Sequence, residues 1–348
     1  MNYSNFVLAV STLSLLLSSQ INTQENVHHK KITINVLKND ELKISQIGEV
    51  VKIIPLHQTT SDLFLSTNRV IFDETEDCLF VTYGTFPVSV YQYRLSTGEQ
   101  VGIIKKDYPV QQFIYPDQKS LGIICRDEIF KYDFKGNLIH KLRMQNTGDV
   151  FFFNNSYWRF NIEFTGKGFD RFLLFSTENF EIVDSEYEII HKRGDCEPAF
   201  LKVSMEPFFN STGGALYFSH QADPVLYRLR ENKINAVCEY AFNTSDFTCP
   251  DFFSRRQALL GDHWLMITYN YKAYVNSFFC SLKTNESYNL KNGLIKDDLF
   301  GTEGISAHKI RIAKDNYFCF VLPADEIKPG LVAKHGDSKL CLVLMKVK

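Results

Sequence analysis

Apolar and polar residues alternate with a period of two along most of this chain, in short runs parted by polar turns. The most regular stretch is residues 69–104. Arg69-Val70-Ile71-Phe72 is followed by an acidic turn at Asp73-Glu74-Thr75-Glu76-Asp77. Leu79-Phe80-Val81-Thr82-Tyr83 and Val90-Tyr91-Gln92-Tyr93-Arg94-Leu95 come next, then a turn at Ser96-Thr97-Gly98 and a last run at Val101-Gly102-Ile103-Ile104. Runs of four to six residues with this alternation read as half-buried strands, since a strand's side chains point to opposite faces in turn. The stretch predicts four strands joined by tight turns.

Weaker copies recur down the chain. The second strand of each copy is recognisable at Leu79, Leu121, Trp158, Ala215, Trp264 and Tyr317, each after a polar turn. These positions are about 48 residues apart on average, with individual intervals of roughly 37 to 57, in the range of a propeller blade. Uneven spacing is tolerable, because closure entropy grows slowly with loop length. A hairpin ends most copies, as in Ile129–Phe134, turn Lys135-Gly136-Asn137, then Leu138–Leu142. Gly and Asn there supply the positive φ that tight hairpins need.

The sixth copy stops after its third strand, Lys339–Lys348. An uncovered apolar edge invites aggregation, and the early strand Glu49–Leu56 has no other evident role. The expectation is an all-β, six-bladed β-propeller of four-stranded antiparallel blades, its ring closed by the N- and C-terminal strands. Helical periodicity is scarce. The one short helix expected is Phe252–Leu260, with Asp251 as its N-cap.

The first residues differ from the rest. Phe6 to Leu17 is mostly apolar, and Ser18-Ser19-Gln20 follow. Such a segment is too short to span a bilayer and reads as a secretory signal over residues 1–20, although no Lys or Arg precedes it; the other reading is a buried element at the start of the domain. Residues 21–46 form a polar segment holding one alternating run, Lys31–Val36. The propeller is expected over 47–348. An apolar content of 45% with 22% charged residues is that of a globular chain, and 30 Phe with 17 Tyr suit pleated surfaces. Net charge is −2 with both signs interspersed. No linear basic stripe points to nucleic acid as a partner.

The chain resembles the secreted six-bladed β-propeller proteins abundant in Bacteroidetes, themselves similar to NHL-repeat and TolB-like propellers. The resemblance rests on Glu49–Leu56 followed by Arg69–Phe72, on hairpins such as Tyr132–Leu138, and on the basic-ended C-terminal strand, over roughly residues 45–348. It implies a propeller fold and an exported, periplasmic or cell-surface location, and no reaction. Two features of that family are missing: a lipobox cysteine, and a glycine-rich acidic turn whose nearest counterpart is the degenerate His191-Lys192-Arg193-Gly194-Asp195-Cys196-Glu197-Pro198.

No sequence motif for metal, nucleotide or nucleophilic catalysis is present. The charged loop is the candidate ligand site, with His191, Lys192, Arg193, Asp195 and Glu197 facing an anionic or carbohydrate ligand; a solvated loop is the competing reading. Asp73–Asp77 reads either as a hairpin turn or as a calcium loop lacking its glycine. His191, His220, His263 and His308 fall near strand ends. Trp158 and Trp264 read as core packing or as sugar-stacking platforms. Of the eight cysteines, Cys125, Cys280, Cys319 and Cys341 lie in apolar runs and read as buried thiols, while Cys238 and Cys249 are the candidate disulfide pair. No metal or cofactor is expected. The functional expectation is a monomeric exported binding or scaffold propeller that displays loops to a protein, peptide or glycan. The alternative is a glycan- or lactone-directed hydrolase or lyase with acid/base residues at the channel mouth.

Overall fold

The computed structural model describes residues 30–57, 67–83, 89–104, 112–117, 120–125, 128–143, 149–153, 156–164, 169–178, 181–192, 208–219, 225–231, 233–243, 253–271, 274–331 and 338–348. The chain opens with β1 (Lys30–Asn35), a single helical turn α1 (Ile44–Ile47) and β2 (Gly48–Leu56). A first four-stranded sheet follows in β3 (Thr67–Asp73), β4 (Cys78–Tyr83), β5 (Ser89–Arg94) and β6 (Gln100–Ile104). The second holds β7 (Gln112–Asp117), β8 (Ser120–Cys125), β9 (Glu128–Asp133) and β10 (Leu138–Arg143). The third holds β11 (Asp149–Phe153), β12 (Ser156–Phe164), β13 (Phe169–Glu178) and β14 (Glu181–Lys192). The fourth holds β15 (Phe208–Thr212), β16 (Ala215–Ser219), β17 (Val225–Arg230) and β18 (Lys233–Asn243). The fifth holds β19 (Phe253–Leu260), β20 (Trp264–Tyr271), β21 (Tyr274–Ser281) and β22 (Ser287–Leu290).

A short ribbon, β23 (Leu294–Ile295) with β24 (Ile305–Ser306), leads into β25 (Arg311–Lys314), β26 (Tyr317–Pro323) and β27 (Leu340–Val347). These last three strands are completed by β2, which pairs antiparallel with β27 from Gly48↔Val347 to Leu56↔Leu340. The strand expected to cover the unfinished last sheet does so.

In each of the six sheets consecutive strands form a meander, with β1 added to the fourth and β2 to the sixth, and the first strand of the meander packs on that of a neighbour. β25 packs on β3, β3 on β7, β7 on β11, and β15 on β19. Between the fifth and sixth sheets the packing is a shared apolar layer that includes Trp264, Met266, Phe279, Phe318, Phe320 and Met345. The opposite face of the sixth sheet joins the first through Leu342, Leu344, Val70, Phe72, Leu79 and Val81. Successive side chains of one strand thus feed two different cores, which is why apolar residues fill nearly every position of β20 and β27. The result is a propeller-type fold.

The helix expected at Phe252–Leu260 is a correction. Phe253–Leu260 is β19, the first strand of the fifth sheet. Ala258, Leu259 and Leu260 are all buried. Only its last three residues form an apolar run: Ala258 and Leu260 enter the core shared with the sixth sheet and Leu259 the core on the other face, so this end of the strand shows no alternation. The other cysteine expectations divide. Cys238 is a free, buried thiol, with Cys249 outside the described residues. Cys78, Cys280, Cys319 and Cys341 are also buried. Burial pushes the Cys78 and Cys238 thiols up to about 12.

Residues 30–56 act as a strap across three consecutive sheets. β1 adds parallel to β18 as a fifth strand of the fourth sheet, with Ile32, Ile34 and Val36 buried. The chain then crosses the fifth sheet. There the buried Tyr269 hydroxyl donates to Asn289 Oδ1 at 2.6 Å, and Asn289 Nδ2 donates to the Lys38 carbonyl at 2.8 Å. Leu42, Ile44 and Ile47 enter the core shared by the fifth and sixth sheets before β2 begins. The residues of the expected signal segment, 1–20, lie outside the described residues.

Candidate functional site

Two ends of the sheets follow from the meander. Turns between first and second strands, and between third and fourth, lie at one end, here the hairpin end. Links between second and third strands, and from each sheet to the next, leave from the other, the connection end. Loops displayed from a rigid sheet scaffold are where binding residues gather.

Side chains at the hairpin end are occupied with structure. Asp73 Oδ1 accepts the amides of Thr75 and Glu76 at 2.9 and 3.0 Å. The Asp77 carboxylate accepts both the amide and the hydroxyl of Ser96 at 2.6 Å, and that hydroxyl, foremost, holds its pKa below the ordinary 3.8. The acidic cluster at Asp73–Asp77 is therefore a hairpin turn whose two aspartates serve the backbone. Among the described residues no group of three or more His, Cys, Asp or Glu is placed to hold a metal ion.

The same turns close the seams between sheets. His57 N donates to Gly98 O at 3.0 Å, so the third-to-fourth-strand turn of the first sheet docks on the end of β2. Gln92 Nε2 of the first sheet donates to Phe134 O in the equivalent turn of the second. Lys30 Nζ of β1 reaches Ser281 O, in the equivalent turn of the fifth sheet, at 3.5 Å. Three seams thus share one device.

The connection end is built differently. β3 and β19 carry β-bulges at matching places. In β3, Thr67 faces Tyr83 and Arg69 faces Thr82, leaving Asn68 as the extra residue. In β19, Ser254 faces Tyr269 and Arg256 faces Thr268, leaving Arg255 extra. Both arginines stand four positions before the last residue of their strand, Asp73 and Leu260. Bulges of this kind concentrate where a strand must re-aim a side chain. Between these strands, in the sixth sheet, β25 begins at Arg311. Its guanidinium Nη1 donates to the carbonyls of His308 and Ile310 at 2.5 and 3.0 Å. His308 Nδ1 is in turn 2.6 Å from Ser306 Oγ. Elsewhere at this end, His57 Nδ1 is 2.7 Å from Ser338 Oγ, and Ser219 Oγ is buried without a hydrogen-bond partner.

The residues singled out from sequence are distributed as follows. His191 and Lys192 close β14 at the connection end, opposite Asp170 and Phe169. Arg193, Asp195 and Glu197 lie outside the described residues, as does His220. His263 is at the hairpin end, 2.6 Å from the carboxylate of Asp262. Trp264 is buried and packs in the core. Trp158 is the third residue of β12, not the first, and does not match the position of Trp264. Sequence reading passed over the paired bulges. Their trace is visible as Thr67-Asn68-Arg69 with Thr82-Tyr83, and Ser254-Arg255-Arg256 with Thr268-Tyr269.

No protein-family profile matches the chain, and no curated protein matches it in sequence. Among solved structures it is similar to a protein of Bacteroides fragilis described as exported. The identity is 13%, the TM-score 0.64, and the alignment covers 92% of this chain and 100% of that one. Less close are the WD40 repeats of RRP9, at 8% identity and a TM-score of 0.43 over 89% of this chain and 100% of that one. BamB from Moraxella catarrhalis stands at 10% identity and a TM-score of 0.39 over 85% and 97%. The first likeness is one of fold. No described helix is long and apolar enough to cross a membrane.

Proposed function

We propose that this chain is an exported six-bladed β-propeller that binds a peptide, protein or glycan partner at its connection end. The six sheets are the blades, and the β2–β27 pairing is the clasp of the ring. Packing of first strand on first strand at four seams, with a shared core at a fifth, supports a circular order of the six sheets. Export is supported by the apolar stretch from Phe6 to Leu17 and by the exported description of the similar B. fragilis protein.

The observation that carries the reading is the repeated bulge. Two sheets spend a strand irregularity at the same register, at the end where all sheet-to-sheet connections leave, and each places an arginine there. The His191–Glu197 segment follows from that same end and belongs to the proposed face.

A glycan and peptide array probed with the purified chain tests the reading. We expect binders of one class, lost on replacing His191–Glu197 by a Gly/Ser segment of equal length. An array with no binder, or binding indifferent to that replacement and abolished only by changes at the hairpin end, would sink it. N-terminal sequencing of the secreted protein tests export, and an intact Met1 counts against it.

A further inference from the structure

We infer that β6, the outer strand of the first sheet, is a docking edge for an extended segment of a partner protein, which adds to it as a further strand. This edge is a surface separate from the connection end proposed above.

The inference follows from comparing the last strand of each of the six sheets. An edge strand presents unpaired amides and carbonyls, so proteins protect it with charge, proline or a covering segment. Five sheets show such protection. β10 of the second carries exposed His140, Lys141 and Arg143. β14 of the third contains Glu181, Asp184, Glu186 and Glu188. β18 of the fourth is covered by β1, itself led by Lys30 and Lys31. β22 of the fifth is bonded by the strap, where Asp40 N donates to Asn289 O at 2.8 Å. β2 of the sixth contains Glu49, Lys52 and Pro55, and the Gly98 turn docks on its end.

The first sheet is the exception. Gln100-Val101-Gly102-Ile103-Ile104 holds no charge and no proline; the flanking charges are Glu99 before it and Lys105 after. Among the described residues no segment pairs with the outer side of β6. Val101 is 46% exposed and Ile103 40%. Open backbone groups give an added strand its hydrogen bonds, and apolar side chains beside them give it burial.

The occupant follows from the fourth sheet. Val101 is an extra, bulged residue, since Gln92 faces Gly102 and Tyr93 faces Gln100. β18 has the same irregularity at Val237, between Ala236 and Cys238. There β1 pairs from Cys238 onward, directly after the bulge, and buries Ile32 and Ile34 at alternate positions. A bulge in the outer strand therefore does not bar an added one. The guest of β6 is of the same kind, extended and apolar at every second position. A second copy of this chain fits less well. A five-residue strand spans about 17 Å and offers too little area for a stable pair of folded copies, which bury about 800 Å² each.

The probe is a fluorescein-labelled octapeptide of alternating threonine and valine, titrated into the full chain and followed by anisotropy. Binding is expected, with slower hydrogen exchange at residues 100–104 in the complex. The same peptide N-methylated at every amide cannot donate to an edge and should not bind. V101K/I103K should weaken binding roughly tenfold or more, through the loss of two apolar contacts. L138K/I139K alters two residues that are 52% and 55% exposed on the already charged β10, and should bind like the parent. That variant separates strand addition from general adhesion to apolar residues. Thermal unfolding checks that each variant is folded. If V101K/I103K is not, the exchange pattern of the parent and the N-methylated peptide decide.

The inference is overturned by a folded parent that does not bind the peptide, by unchanged affinity in V101K/I103K, or by protection confined to residues other than 100–104. Dimers of the parent that dissociate in V101K/I103K would assign the edge to a second copy instead. Replacing His191–Glu197 should leave this binding as it is. Loss of peptide binding on that replacement would end this inference and favour the connection end, whereas a silent peptide leaves the array result above to be judged by itself.

Discussion

The hairpin end and the connection end are made from the same strands, yet they use their polar residues in opposite ways. At the hairpin end, Asp73, Asp77 and Asp133 direct their carboxylates to backbone amides one to a few residues away, or to the adjoining turn. Gly98 and the turn from Phe134 to Gly136 dock on the preceding sheet. At the connection end, β3 and β19 each hold one extra residue at the same register, followed by an arginine. The hairpin end is specified tightly because each turn fixes the angle between two sheets. The contrast teaches that regular copies of a repeat carry the architecture, and shared departures from regularity are where binding is to be sought.

Substitutions can break this contrast, and the largest effect is expected at Gly98. Its φ of +73° is left-handed, and an added Cβ would sit 1.7 Å from the Pro55 carbonyl oxygen. Gly98→Ala should cost roughly 3 kcal/mol or more, from strained backbone and a forced opening of the seam. Urea denaturation reads this directly; a loss below about 1 kcal/mol would show that the docked turn is dispensable.

Next in size is the strap. Asn289→Ala leaves the buried Tyr269 hydroxyl and the Lys38 carbonyl without this partner. A loss of about 2 kcal/mol is expected from those groups. It should be accompanied by faster hydrogen exchange across residues 30–43, and unchanged exchange there would argue that the strap is held by its apolar residues alone.

A smaller effect is expected at Asp297, in the link to the sixth sheet. Burial raises its pKa, but the amides of Phe300, Leu299 and Thr302 outweigh that and hold it below the ordinary 3.8. A depressed carboxylate contributes stability in full above its unfolded pKa and loses it as pH falls through the lower, folded value. Asp297→Asn should cost about 1 kcal/mol at neutral pH, a figure discounted for its partial exposure. The gap between parent and variant should close below pH 3.8. A gap that widened in acid would reverse the assigned sign.

The smallest effect is expected at Gly214, also at the hairpin end. Its φ is +72°, almost that of Gly98, but an added Cβ meets nothing within 4 Å. Gly214→Asn should change stability by less than about 1 kcal/mol, since Asn tolerates the left-handed region. Compared with Gly98→Asn, it separates the cost of backbone conformation from that of seam contact.

Much of the architecture was legible because period-two alternation and turn chemistry are local. Leu79, Trp264 and Tyr317 could be placed on second strands from their neighbours alone, and the unfinished last sheet called for Val50–Leu56 by the exposure of its edge. Phe253–Leu260 was misread because its apolar end, Ala258–Leu260, is buried on both faces and has no alternation to show. The candidate residues His191 and Lys192 were placed at the end of a strand, and the register equivalence of Arg69 with Arg256 escaped notice. Each of those arginines is unremarkable beside its own neighbours, and their equivalence appears only once pairing registers are compared.

By itself, then, the sequence determined most of the strands, their turns and the early strand held back for the last sheet. These depend on residues within a few positions of one another. Only the tertiary structure decided which face each strand buries, how a turn of one sheet meets the next, and that residues 30–56 strap three sheets together. Those outcomes depend on packing between chain segments far apart in sequence, which leaves no local pattern to read.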